Sequence, residues 1–185
     1  MNTALLLIDI QKDYFSGGRM ELVGSEAAAA KAGRLLEWFR ARQWPVVHVQ
    51  HLSTHPGAAF FLPGSDGALF HPAVAPLAGE TVIVKHFPNA FRDTLLADEL
   101  KRLGIERLAI AGMMSHMCVD ATTSAAFDSG YPCVVFFDAC ATRDLAFGCQ
   151  AIPAAQVHGA FMAALGQVYA TLTGVKDMAG ALLAP

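Results

Sequence analysis

Charge is scarce in this chain: 16% of its 185 residues are Asp, Glu, Lys or Arg. What charge exists is balanced, 13 Lys and Arg against 16 Asp and Glu for a formal net charge of -3. No basic stripe is available to neutralise a phosphate backbone, which excludes nucleic acid as a partner. Long apolar runs are missing as well. The opening segment Met1-Asn2-Thr3-Ala4-Leu5-Leu6-Leu7-Ile8 carries no basic residue and is cut off by Asp9, far too early for a membrane span or a secretory leader. A cytoplasmic protein with no membrane partner is expected. The 4 cysteines, Cys118, Cys133, Cys140 and Cys149, form no C-x-x-C pair, so a zinc ribbon and a thioredoxin-type motif are both excluded. Free thiols are the expectation for a reducing compartment. No glycine-rich turn follows the first apolar run either. Gln11-Lys12-Asp13-Tyr14-Phe15 stands there instead, which excludes a dinucleotide-binding site of the Rossmann type.

What the chain has in quantity is apolar residues, 54% of the total, enough for the core of one domain spanning residues 1–185. They fall in blocks. Thr3–Ile8 is an unbroken apolar run too short for a helix, as expected of a strand buried on both faces. A helix is predicted from a Ser25 cap to Arg42, with Leu35, Leu36, Trp38 and Phe39 as its apolar stripe, and a strand at Val46–Gln50 after Pro45. His51 to Glu80 is irregular, rich in Pro and Gly, yet holds Phe60, Phe61, Leu62 and Phe70; those aromatics predict a loop packed as a cover over a site. Alternation then resumes with strand Thr81–Val84, helix Asp93–Leu103, strand Arg107–Ala111, helix Met117–Ser129, strand Cys133–Phe137 and helix Ala154–Thr171, with a short last strand near Val175. Strands separated by helices predict an α/β fold, a mainly parallel sheet with helices on both faces.

In open parallel sheets ligands bind beyond the carboxyl ends of the strands, so residues just past each apolar run are the first candidates. Those are Asp9, His51, Lys85, the segment Gly112 to Cys118, and Asp138. Asp9 alone reads equally as a cap or an ion-pair partner, and Lys85 alone as a solvated lysine. Cys118 gains from its setting, Gly112-Met113-Met114-Ser115-His116-Met117-Cys118, a glycine turn leaving a strand with the thiol in the first turn of the next helix. There the helix N-terminus and Lys85 would favour thiolate, and backbone N–H groups could hold an oxyanion. The other three cysteines lack such a setting and read as structural.

These segments together resemble the isochorismatase-like cysteine hydrolase superfamily, which includes nicotinamidases and N-carbamoylsarcosine amidohydrolases. Leu5 to Phe15 resembles its opening motif, Val82-Ile83-Val84-Lys85 with Asn89-Ala90-Phe91 its lysine motif, and Gly112 to Thr122 its nucleophile motif, in the family's order. The resemblance implies a three-layer α/β/α fold with a six-stranded sheet, and catalytic roles for Asp9, Lys85 and Cys118. It further implies a cis peptide between Met113 and Met114, which would aim the amides of Met114 and Cys118 at an oxyanion. Two departures bear on function. Metal-dependent nicotinamidases carry an Asp-x-His pair after strand two, where this chain has Val49-Gln50-His51-Leu52-Ser53. Isochorismatases that cleave a vinyl ether need no cysteine nucleophile, so Cys118 favours the amidase side.

The expected reaction is hydrolysis of a small amide or related C–N bond through a thioester. A C–O substrate of the isochorismate type, or a non-enzymatic sensor built on Cys118, are the alternatives. Phe15, the His51–Phe70 loop, Met114 and Met117 are the expected pocket walls, mostly apolar and suited to a small molecule. No metal or other cofactor is expected at His51, His86 or His116, because a metal needs at least three convergent ligands with a second shell. A mean hydropathy of +0.40 points to apolar surface that a homo-oligomer would hide.

Overall fold

The computed structural model describes residues 1–183; the last two of the single expected domain, 184 and 185, lie outside the described residues. Strand β1 (Thr3–Ile8) is buried at every position. Leu5 and Leu7 point to one face, against Leu35, Leu36 and Phe39 of helix α1 (Ser25–Ala41). Ala4, Leu6 and Ile8 point to the other, against Leu96 and Leu100 of α2 (Leu96–Arg102) and, later in the chain, Met162 and Leu165 of α4 (Ala154–Val168). A strand apolar on both faces therefore sits between two helical layers. Each fully buried Leu or Phe contributes about 1.5–3 kcal/mol, which makes these two interfaces the main source of stability.

The remaining elements are β2 (Val46–His51), β3 (Thr81–Lys85), β4 (Arg107–Met113), α3 (Asp120–Asp128), β5 (Cys133–Ala141), β6 (Leu145–Phe147), β7 (Gln150–Ile152), β8 (Thr171–Thr173) and α5 (Met178–Leu183). The main sheet has the order β3-β2-β1-β4-β5-β8, and every pairing in it is parallel. Order reverses at β1, whose two neighbours β2 and β4 lead the chain away in opposite directions. In open parallel sheets such a switch point is where ligands bind, here beyond the carboxyl ends of β1 and β4.

Several boundaries differ from the sequence reading. Ser25 is the first helical residue rather than the cap: Gly24, at φ 76°, precedes it, and the Ser25 hydroxyl donates back to the Leu22 carbonyl. The helix predicted from Asp93 begins only at Leu96, because Asp93 adopts φ 54°. Cys140 lies inside β5, which runs on to Ala141 across a register shift against β4. The last strand is Thr171–Thr173, and Val175–Asp177 is a short 3-10 turn. The antiparallel ribbon β6–β7 was not anticipated at all. Its strands are three residues each, too short to show a period.

The 51–80 segment is a packed cover, as its aromatics suggested. Phe61, Ala68 and Val74 are buried, and Phe61 stacks edge-on against Tyr14 at 4.6 Å between centroids.

Candidate active site

Three strand ends bring together the three expected catalytic side chains. Asp9 follows β1 with φ 51°, a left-handed conformation that Asp tolerates better than most residues and that turns its carboxylate out of the strand direction. Lys85 ends β3, two strands away. Cys118 follows β4 in a π-helical turn, Ser115–Val119, that feeds α3. Gly112 makes this arrangement possible. It sits at φ 145° beside Ile8, and a Cβ there would lie 2.1 Å from the Ile8 carbonyl oxygen. Only glycine lets β4 approach the end of β1 so closely.

The side chains meet on one atom. Lys85 Nζ is 2.7 Å from Asp9 Oδ2, 3.3 Å from Cys118 Sγ, 3.0 Å from His51 Nδ1 and 3.1 Å from the Phe87 carbonyl oxygen. Asp9 and Lys85 are fully buried and Cys118 is 5% exposed. Apart from the ion pair, neither carboxylate oxygen of Asp9 has a hydrogen-bond partner among the described residues. A dry carboxylate with open lone pairs is a strong proton acceptor, placed within 4.8 Å of the thiol sulfur.

Electrostatics define the resting state. Burial alone would lower the Lys85 pKa, but the Asp9 carboxylate foremost, with the Cys118 sulfur as a further acceptor, outweighs it and holds the ammonium charged. Burial and the Asp9 charge push the Cys118 thiol up, with Lys85 opposing them only in part. The helix N-terminus and Lys85 favour a thiolate, but burial and the neighbouring carboxylate act against them, so the sulfur rests as a thiol. Moving the thiol proton to Asp9 leaves the number of buried charges unchanged. The ammonium then faces a thiolate instead of a carboxylate, so the transfer costs far less than creating a charge in a dry site.

His51 is half-buried and its Nδ1 accepts from Lys85, which leaves the ring proton on Nε2. Burial, with the Lys85 charge, lowers its pKa to about 4. Asp9, His51 and Cys118 could together hold a metal ion. The Lys85 ammonium already stands within 3.3 Å of all three, and its charge opposes a divalent ion placed there. His55 is exposed with its ring against Pro56, and His86 is exposed with Nδ1 near the Leu52 carbonyl oxygen.

Of the other expected pocket residues, Met114 is buried at the start of the nucleophile turn and its peptide bond to Met113 is cis. Met117 is 41% exposed on the outer side of that turn. Phe15 stacks on His71 at 4.0 Å and lines a separate cavity of about 510 Å³ with Lys12, Arg19 and Asp66. Another cavity, about 710 Å³, lies where β2 and β3 begin, at the amino ends of the strands, and is walled by Arg40 and Glu80 in a bidentate ion pair. Neither cavity has Cys118 in its wall.

Sequence reasoning passed over four residues that shape the site. Gln11 is fully buried and clamps His51 through its backbone, accepting from the His51 amide at 2.8 Å and donating to its carbonyl at 2.9 Å. Asp13, also buried, accepts from the amides of Phe61 at 2.6 Å and Arg19 at 3.2 Å, pinning the cover. Tyr14 packs beneath that cover, and burial with the nearby Cys118 and Asp9 charges raises its pKa. Arg143, exposed, contacts Met20 Sδ at 3.0 Å, and its charge reaches Tyr14 and His116. One signal was available: Asp9, Gln11 and Asp13 are polar residues at alternate positions directly after a buried strand.

With this geometry in place, the chain can be set beside known proteins. Residues 3–175 match the model of the isochorismatase domain. The isochorismatase family protein YddQ of Bacillus subtilis is 51% identical over 172 residues, covering 93% of this chain and 96% of its own length. A solved isochorismatase-type hydrolase from Oleispira antarctica superposes with a TM-score of 0.93 at 53% identity, over 97% of this chain and 96% of its own. An isochorismatase from Pseudomonas putida KT2440 gives 0.90 at 41% identity, over 95% and 89%. On sequence and fold alike, the chain belongs to the isochorismatase family of hydrolases.

Proposed function

We propose that the chain is a cysteine hydrolase that cleaves a small amide or related C–N bond through a thioester on Cys118. The observation that carries this reading is the buried Asp9–Lys85–Cys118 cluster, in which an unpartnered carboxylate oxygen stands beside a protonated thiol. Asp9 takes the thiol proton as sulfur attacks the carbonyl carbon, and the amides of Met114 and Cys118 hold the oxyanion. The C–N bond then breaks, nitrogen leaves as ammonia or an amine with the proton from Asp9, and the acyl group stays on sulfur. A water molecule, giving its proton to Asp9, attacks the thioester; the acid departs and the proton returns to the thiol. Lys85 remains charged throughout and compensates whichever neighbour is negative. His51 accepts from Lys85 and fixes its position, and the buried rings of Tyr14 and Phe61 pack next to it.

Two more distant relatives lend the amide reading support: a nicotinamidase of Escherichia coli at 29% identity over 175 residues, and a maleamate amidohydrolase of Pseudomonas putida at 31% over 146. The test is a panel of small amides assayed for ammonia release, run beside a vinyl ether assayed for pyruvate. Ammonia release that disappears in Cys118→Ala is the expected result. Pyruvate release without ammonia release transfers the site to C–O cleavage, and hydrolysis undiminished in Cys118→Ala removes the nucleophile.

A further inference from the structure

Four side chains form the cluster around Lys85, and the proposed reaction draws its chemistry from Asp9, Lys85 and Cys118. His51 is left over. It ends β2 in parallel register with Lys85 at the end of β3, so the two side chains stand on the same side of the sheet. Its position is closely fixed. Gln11 holds its backbone through both the amide and the carbonyl, Lys85 Nζ holds Nδ1 at 3.0 Å, and the buried Phe61 ring lies 5.9 Å away between centroids. A ring nitrogen of His51, an oxygen of Asp9 and the Cys118 sulfur all lie within 4.8 Å of one another. Asp9 and Lys85 are fully buried and Cys118 nearly so, whereas His51 is half-buried, the least enclosed of the cluster.

An ammonium group only donates, so its contact with Nδ1 makes that nitrogen the acceptor and puts the single ring proton on Nε2. Among the described residues this N–H has no partner, and it is not sealed off from solvent. Burial and the Lys85 charge lower the pKa of the ring to about 4, which keeps the donor uncharged at neutral pH. Asp9 and Lys85 cancel each other's charge. A carboxylate brought against His51 would therefore find no net positive charge and would face Asp9, whereas an uncharged acceptor meets the open N–H without that repulsion.

We infer that His51 is a specificity residue whose Nε2–H donates to an uncharged acceptor of the substrate, an ether or carbonyl oxygen or a ring nitrogen, close to the scissile carbonyl. This rests on the reading of Cys118 as the nucleophile of amide hydrolysis. With the oxyanion on the amides of Met114 and Cys118 and the leaving nitrogen at Asp9, the imidazole is the polar group of the cluster left for the rest of the acyl part. An amide that carries no such acceptor leaves the N–H unpaired against the ligand and is discriminated against.

Methoxyacetamide and butyramide test this, because they differ only by an ether oxygen in place of a methylene. The native chain is expected to show a kcat/KM for methoxyacetamide at least about tenfold higher than for butyramide. In His51→Leu both values should fall with loss of the Lys85 contact, but their ratio should drop to within about twofold. His51→Gln, which keeps an N–H donor, should retain more of the ratio. Damage shared by both amides cancels in that ratio, so a merely structural role for His51 would leave it unchanged. Equal native values, or a ratio that survives in His51→Leu, overturn the inference, as does a preference for the anionic amide succinamate over both. Binding without turnover is read in Cys118→Ala by nitrogen NMR of labelled histidine rings, with the His51 signals assigned by their absence in His51→Gln. The Nε2–H form is expected, and methoxyacetamide at up to about 50 mM should shift Nε2 where butyramide does not. A proton on Nδ1 instead, or an Nε2 unmoved by methoxyacetamide, overturns the inference as well. An Nε2 shift together with no hydrolysis of either amide by the native chain would count against the hydrolase reading and leave recognition by His51 standing.

Discussion

One ammonium group organises the site. Lys85 is surrounded by a carboxylate, a thiol, an imidazole and a carbonyl, four acceptors for three N–H groups. That surplus lets its protons follow the negative charge from Asp9 to Cys118. In the proposed mechanism the base is Asp9, and Asp9→Asn keeps the shape while removing it. Turnover of any amide substrate should fall about 10²–10⁴-fold, the usual worth of a positioned base, and iodoacetamide labelling of Cys118 should slow in parallel. Fast labelling in Asp9→Asn would mean that Lys85 alone ionises the thiol. His51 gives a pH signature. Its native pKa is lowered to about 4 by burial and by Lys85, against 6.5 unfolded, so between those values the unfolded chain takes up a proton that the native chain refuses. The stability involved is fully present above pH 6.5 and is lost as pH falls toward 4. His48, lowered by burial, acts in the same direction. Thermal melts from pH 7 to 4.5 should therefore show a falling midpoint, with a shallower slope in His51→Gln; equal slopes would show that His51 does not titrate this way.

At the scale of elements, the site depends on how close two strand ends come and on how a loop is tied down. Gly112→Ala would set a methyl group 2.1 Å from the Ile8 carbonyl oxygen at φ 145°, where no L residue is at ease. A destabilisation of at least about 2 kcal/mol is expected by urea unfolding, together with loss of activity, because β4 must withdraw from Asp9. Asp13→Ala removes the charged acceptor of the Phe61 and Arg19 amides and should cost about 1.5–3 kcal/mol. Limited proteolysis would then cut first within residues 51–80, whereas cutting elsewhere would place the tie in another element. These elements were not equally legible in sequence. β1 and the core of α1 could be read because burial imposes an apolar pattern: all six residues of β1, and the Leu35–Leu36–Phe39 stripe. The ribbon could not, since its apolar residues face outward and answer to no pattern of the chain's own core. Ser25 misled because its hydroxyl turns back to Leu22 while Gly24 makes the bend. Asp9, Lys85 and Cys118 were found by their position at strand ends. The protonation of the thiol was not, because it depends on burial and on a carboxylate beyond sequence range.

Across the whole molecule, the order β3-β2-β1-β4-β5-β8 accounts for the meeting of residues 9, 85 and 118: β1 sits at the centre, and both arms of the sheet bring their carboxyl ends toward it. The low charge of the chain also has its place. Two apolar faces of the sheet use much of the apolar content, and α4 with the ribbon displays the remainder. Among the described residues no helix is long and apolar enough to cross a membrane. If the chain forms the expected homo-oligomer, the melting midpoint should rise with protein concentration, because only the folded chain associates. A midpoint independent of concentration would go with a single chain.

The nucleophile itself is most sharply examined by intact-mass analysis of the protein, quenched in acid during turnover of a small amide. A mass increase equal to the acyl part of the substrate, without its nitrogen, is expected on the native chain and mapped to Cys118, with none on Cys118→Ala. Ammonia release at the native rate from Cys118→Ala, with no adduct on either protein, would contradict the account.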